Sequence, residues 1–286
     1  MKVRIAVSPP VESWDQIVLP DYVDALERLG FDTIWLSDVP MAPYVDPLIG
    51  LAHAAGHTSR LKLGANLVPF GRNPMILAKQ LAQLDRLSGG RLLLSLVPGL
   101  DQPGERQALG IGDASRGQQL DQIIPMLRGW WSGETVDDVA VRPLPLQDPL
   151  EIWLGGVGPL ALRRAGRLSD GWLGAALTPT EARVAVDHIV QAATEADRTI
   201  DPEHFGLSIP YARTEPDDST VAALRARRPD KSLEQILPIG AQQLCELIDR
   251  LVDQGLSKFV VRPVHRTTHW QAELDWLAQT VLPLQT

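Results

Sequence analysis

Residues 60–99 constrain the fold of this chain more than any other stretch. They read Arg-Leu-Lys-Leu-Gly-Ala-Asn-Leu-Val-Pro-Phe, then Asn73-Pro74 and a long amphipathic segment. Asp-Arg-Leu-Ser-Gly-Gly-Arg-Leu-Leu-Leu-Ser-Leu-Val-Pro-Gly completes the stretch. An asparagine cap with proline at the first helical position marks a helix start, and Leu77, Leu81, Leu84 and Leu87 form one apolar stripe at helical spacing. Gly89-Gly90 turns the chain into a second apolar run. The runs on either side of this helix are apolar on both faces, as strands of a sheet covered on two sides are. Strand, helix, turn and strand make one complete unit of a parallel α/β protein.

The same alternation extends along the chain. β-type runs are expected at 3–7, 33–36, 61–68, 92–97, 151–154, 172–174, 205–212 and 257–264, with helical patterns between them and after the last. Eight strands alternating with helices in 286 residues predict a (β/α)8 barrel, a TIM barrel read as one domain over 1–286. The polar stretch 215–238, with Pro-Asp-Asp and Arg-Arg-Pro-Asp, exceeds the usual length of a βα loop. It is expected to be an insertion after strand seven, or a lid on the catalytic face.

Net charge is 27 − 35 = −8, with only a short basic run at Arg225, Arg227 and Arg228, which argues against nucleic acid or an anionic membrane as partner. The N-terminus is a short β-type run rather than a signal peptide, and no apolar stretch is long enough to cross a bilayer, so a cytoplasmic setting is expected. Cys245, the lone cysteine, falls in an amphipathic helical pattern and is expected to be a packed thiol. Two histidine pairs, His53/His57 and His265/His269, have i, i+4 spacing but lack the accompanying glutamate of H-E-x-x-H, so no metal site is expected.

In such a barrel the site lies at the C-terminal strand ends, which selects Ser8, Asp38, 66–69, 98–101, 155–159, 175–178, 211–213 and Arg262. The sharpest feature is Leu154-Gly155-Gly156-Val157-Gly158-Pro159, a strand running through glycines into a helix. Free amides and a helix N-terminus there make an anion site, with a ligand-free glycine turn as the alternative. A dinucleotide fingerprint also fits formally, but no acidic residue ends the next strand. Asp38 can accept hydrogen bonds from a ligand ring or act as a base, or it can brace a loop. Asn66 interrupts an apolar strand and needs partners, in a ligand or in the fold. Arg262, mid-strand, requires a counter-charge; an internal salt bridge is expected, with an anionic substrate or cofactor tail as the other solution.

Five segments together carry a resemblance to a known family. They are residues 30–38 (Gly-Phe-Asp-Thr-Ile-Trp-Leu-Ser-Asp), 58–64 (Thr-Ser-Arg-Leu-Lys-Leu-Gly), 78–91 (Ala-Lys-Gln-Leu-Ala-Gln-Leu-Asp-Arg-Leu-Ser-Gly-Gly-Arg), 152–156 (Ile-Trp-Leu-Gly-Gly) and 165–172 (Ala-Gly-Arg-Leu-Ser-Asp-Gly-Trp). The chain from 3 to 175 resembles the luciferase-like monooxygenase superfamily, most closely its branch using the deazaflavin coenzyme F420, with FMN users as the near alternative. The resemblance implies a hydride-transferring oxidoreductase acting on a small organic substrate, and a homodimer. It places the cofactor phosphate at Gly155, Gly156, Val157, Gly158 and Pro159, and contacts to the cofactor at Asp38, Asn66, Leu67, Val68 and Gly99. It also implies a cis peptide at Asn66–Leu67. Three positions depart from that pattern: Val39 replaces a proton-transferring histidine, Leu100 a carboxylate, and Pro69 a threonine. Asp38, Asp101 and Tyr211 are the catalytic candidates that remain, and a non-catalytic cofactor-binding protein is a further alternative.

Overall fold

A computed structural model describes residues 1–9, 18–100, 104–264 and 269–286. Eight parallel strands close into a barrel in chain order: β1 (Arg4–Val7), β2 (Thr33–Ser37), β3 (Lys62–Leu67), β4 (Leu92–Leu96), β5 (Ile152–Gly155), β6 (Gly171–Ala175), β7 (Phe205–Tyr211) and β8 (Lys258–Pro263), which pairs with β1 again. The helices that return the chain are α1 (Leu19–Leu29), α2 (Pro47–His57), α3 (Pro74–Leu87), α4 (Arg116–Trp131), α5 (Pro159–Leu168), α6 (Pro179–Thr194) and α7 (Gly240–Asp253), with α8 (Trp270–Val281) closing the ring. This is the (β/α)8 TIM barrel expected from the alternation.

Local chemistry sets the boundaries. The Asn73 side chain accepts the Ile76 amide and caps α3, and Thr178 with Glu181 forms a reciprocal capping box on α6. Gly30 ends α1 at φ 92°, in the left-handed region that glycine adopts without a Cβ penalty.

Strand alternation sorts side chains into two cores. The larger lies between sheet and helices. Inside the barrel Ala6, Trp35, Trp153, Leu173 and Val260, with Leu93, form one apolar layer. Below it, at the N-terminal rim, Lys258 Nζ lies 2.8 Å from Asp32, which also faces Lys62 at 3.5 Å and Arg4 at 3.6 Å. Above it, Ser37, Asn66 and Ser95 stand in register across β2, β3 and β4. The barrel interior is therefore charged below, apolar in the middle and polar at the C-terminal end.

Two expectations are corrected. Among the described residues the cis peptides are Arg142–Pro143 and Asp148–Pro149, so Asn66–Leu67 is trans. The reason is the ladder itself, which runs unbroken through this bond: the Asn66 carbonyl accepts the Asp38 amide, and the Leu67 carbonyl accepts that of Val97. A small hairpin, Thr135–Val136 with Val139–Ala140, also stands outside the barrel where no strand was expected.

The stretch 215–238 carries two helices, Asp218–Arg227 and Leu233–Ile236. Ala212, Leu224 and Leu237 give it a small core of its own, separate from the main one. Arg228 pairs with Glu181 at 2.7 Å and donates to the Ala176 carbonyl, and Lys231 reaches Glu181 at 2.9 Å. These contacts fasten the stretch to the loop after β6 and the start of α6.

Candidate functional site

At the C-terminal end of the barrel, above the Trp35 layer, lies a cavity of about 390 Å³. Ser8, Ser37, Tyr44, Ser208 and Arg262 supply its polar lining from the barrel and its loops, and Arg227 reaches it from the 215–238 stretch. Alternation explains Arg262: Val260, two residues earlier, belongs to the interior layer, so the arginine lies on the same face one level higher. The expected internal salt bridge is not present. Among the described residues Arg262 forms neither an ion pair nor a hydrogen bond, because the cavity rather than a carboxylate meets its guanidinium. Burial, and then the positive charge of Arg227, disfavour its protonated form.

A second cavity of about 360 Å³ adjoins the first, sharing Val39, Ala42, Tyr44 and Val45. Its wall holds Asp38, which is 8% exposed. Arg72 stands 2.9 Å from Asp38 and 2.9 Å from Asp46, and the Val68 amide donates to Asp38 at 3.2 Å. Burial raises the Asp38 carboxyl above its ordinary value, against the pull of Arg72 and of the Val68 amide. Asp38 is thus a braced carboxylate that fixes the loop after β2 to the one after β3, while also forming cavity wall.

Asn66 donates to Ser37 Oγ at 3.3 Å, but its Oδ1 is buried without a partner among the described residues, as are Ser95 Oγ and Trp35 Nε1. Such orphaned polar atoms are costly unless water or a ligand completes them. Val68 lines the second cavity, whereas Leu67 is buried in the core between sheet and helices. Gly99 sits at φ 82°, and a Cβ there would lie 3.2 Å from both Arg116 and Glu105, whose 3.0 Å ion pair braces this loop. Asp101 lies outside the described residues.

Between β5 and α5 the chain presents an unpaired row of donors. The amides of Gly156, Val157, Gly158 and Leu160 have no acceptor among the described residues. Gly156 takes φ 104°, and a Cβ on it would lie 2.9 Å from that of Ala161; a Cβ on Gly158 would meet nothing within 4 Å. Pro159 opens α5, which has no side-chain cap. The stretch 155–159 thus gathers at the C-terminal face as one turn of unpaired amide donors at a helix start.

Tyr211 is not part of this assembly. Ser208 and Arg262 take the interior side of β7 and β8, so Tyr211 points outward, fully buried, and donates to Glu273 Oε1 at 2.8 Å. Burial, reinforced by Glu273, pushes its phenol well above its ordinary value. It is a packed structural tyrosine, as its stacking on Trp276 also indicates. Cys245 is half-buried and donates to the Thr280 carbonyl. The His53 and His57 rings face one another on the exposed side of α2, and His265 lies outside the described residues.

Three site features escape the sequence pattern: Arg72, Tyr44 and Arg227. The signal for Arg72 was present in Gly-Arg-Asn-Pro, an arginine in a short loop on the C-terminal face. The other two depend on long-range folding of loops that have no periodicity.

A family model described as luciferase-like monooxygenase matches residues 4–261. The 5,10-methylenetetrahydromethanopterin reductase of Methanolobus tindarius is 32% identical over 196 residues, 65% of this chain and 58% of that one. The chain thus spans less than two thirds of that relative's length. Among solved structures, an F420-dependent secondary alcohol dehydrogenase in complex with an F420–acetone adduct superposes with a TM-score of 0.82 at 18% identity, covering all of both chains. The FMN-bound oxygenating constituent of 3,6-diketocamphane monooxygenase, from the CAM plasmid of Pseudomonas putida, gives 0.76 at 17%, covering 100% of this chain and 99% of that one. At these identities the two structures share the fold.

Proposed function

The chain belongs to the luciferase-like monooxygenase family, and on that premise we propose that it is an oxidoreductase that binds coenzyme F420 and exchanges hydride with a small organic substrate. The observation that carries the reading is the row of unpaired amides at 156, 157, 158 and 160, opening a helix at the C-terminal face of the barrel. Donors left unpaired in this way suit a phosphate: the helix N-terminus favours negative charge, and the missing side chain of Gly158 leaves the approach open. The orphaned Asn66 Oδ1 and Ser95 Oγ add polar atoms with unmet capacity in the barrel interior.

When bound, F420 supplies a two-electron hydride carrier, so the protein's part is to bind, orient and exclude water. The 155–159 turn would hold its phosphate. Asp38, locked by Arg72 and the Val68 amide, keeps the wall of the mouth in one shape. The 215–238 stretch, fastened through Glu181, would act as a lid over the cavity and limit water entry. The relative's reductase name and the F420-bound structural neighbour support this reading. The FMN-bound neighbour supports a second one, an FMN-dependent monooxygenase with the same phosphate site.

Fluorescence and absorbance titrations of the full chain with F420 and, separately, with FMN test both. F420 is expected to bind more tightly than about 100 μM, roughly −5.5 kcal/mol. Binding of FMN alone would move the chemistry to oxygen consumption. Binding of neither would refute the phosphate site and the reading built on it.

A further inference from the structure

We propose that the cavity at the C-terminal end of the barrel receives an organic oxyanion as substrate, a carboxylate or a phosphate ester, held through its charged group by Arg262. This deepens the proposed function and rests on its assignment of the C-terminal mouth as the substrate side.

Four observations lead there. Arg262 projects from β8 into the barrel interior, one level above the apolar layer of Trp35 and Val260. Among the described residues it has no ion pair and no hydrogen bond, and none of the described residues lining the cavity is an aspartate or glutamate. A partly buried guanidinium without a counter-ion is costly in a fold that could have placed a neutral side chain there. Arg227 enters the same cavity from the overlying stretch, also without an ion pair among the described residues, in a chain whose net charge is −8.

Two arginines turned on one cavity in an acidic protein repel each other until an anion lies between them. The guanidinium fork matches the two oxygens of a carboxylate or phosphate. Ser8, Ser37 and Ser208 offer hydroxyl donors around the same space. The adjacent Arg228 ties its stretch to Glu181 and the Ala176 carbonyl, so the position of Arg227 over the mouth is fixed by its neighbour.

The test is calorimetric titration of the full chain with benzoate, phenyl phosphate and the neutral isostere benzamide. The variants Arg262→Gln and Arg262→Lys are run alongside, with circular dichroism to verify folding, and F420 titrations are made on every variant. At least one anion is expected to bind saturably, with benzamide about tenfold weaker or worse and a similar loss in Arg262→Gln. Arg262→Lys, which keeps the charge but loses the fork, should fall between wild type and Arg262→Gln, and F420 affinity should stay within about twofold of wild type. Equal binding of benzoate and benzamide, no saturable binding of either anion, or an Arg262→Gln chain that folds and binds anions normally would each overturn the proposal. A parallel loss of F420 affinity in Arg262→Gln would overturn it too, by assigning the arginine to an anionic part of the cofactor. If anions bind through Arg262 and F420 does not bind at all, the cofactor reading fails while the anion cavity stands.

Discussion

Gly158 is the residue at which the phosphate reading and the stability of the fold can be pulled apart. Its backbone occupies the N-cap of α5 in an ordinary extended conformation, and a Cβ there meets nothing within 4 Å. Asp at an N-cap is a good helix starter. Gly158→Asp should therefore leave Tm unchanged or slightly raised while placing a carboxylate on the amides that would hold phosphate. The expected outcome is F420 binding weakened by about tenfold or more, read by fluorescence titration beside thermal melts; unaltered binding would remove this turn from the cofactor site. The same glycines were legible in the sequence because strand, glycines and helix start are a local signature. Tyr211 and Arg262 were not. Where both faces of a strand are buried, as in 205–212 and 257–264, apolar residues fall on both faces, and period two no longer says which side faces the barrel. The salt bridge expected for Arg262 and the catalytic role expected for Tyr211 both depended on that missing piece.

At the scale of elements, the start of α3 was readable because its cap announces it: Asn73 accepts the Ile76 amide and Pro74 opens the helix. The hairpin at 135–140 was not, since its turn is Asp137-Asp138 in the left-handed region rather than the glycine-bearing pair that signals such turns. The 215–238 stretch was visible as an excess of length, but its attachment was not, because Glu181 lies on a different element. That attachment can be loosened selectively. Gln replaces Glu acceptably at the third position of a capping box, so Glu181→Gln should preserve α6 while weakening the pairs to Arg228 and Lys231. These two pairs are part-buried near the surface, where such pairs contribute about 1 kcal/mol or less each, so Tm should fall by no more than about 4 °C. Tryptic cleavage between 225 and 231 should nevertheless accelerate several-fold, followed by mass spectrometry. An unchanged cleavage rate would mean that the small core of Ala212, Leu224 and Leu237 holds the stretch without help.

For the molecule as a whole, the N-terminal rim of the barrel sets an acid limit on stability. Burial alone would raise the Asp32 carboxyl, but Lys258 and Lys62 hold it down to about 2. A folded value below the unfolded one contributes stability that is complete above about pH 4 and lost as pH falls toward 2. The size is on the order of 2 kcal/mol. Thermal melts between pH 2 and 7 should show this loss in the wild-type chain, with a shallower acid limb in Asp32→Asn. Equal slopes would take the rim out of the acid response. The other end of the barrel is separated from this one by the layer of Ala6, Trp35, Leu93, Trp153, Leu173 and Val260, which fills the interior like a stopper. Among the described residues that stopper leaves the C-terminal end as the side from which the depth beside Arg262 is reached, so whatever enters there departs at the same end. A second molecule settled across the rim would then have to arrive last and leave first, so the order of traffic is already implied by where two tryptophans were placed.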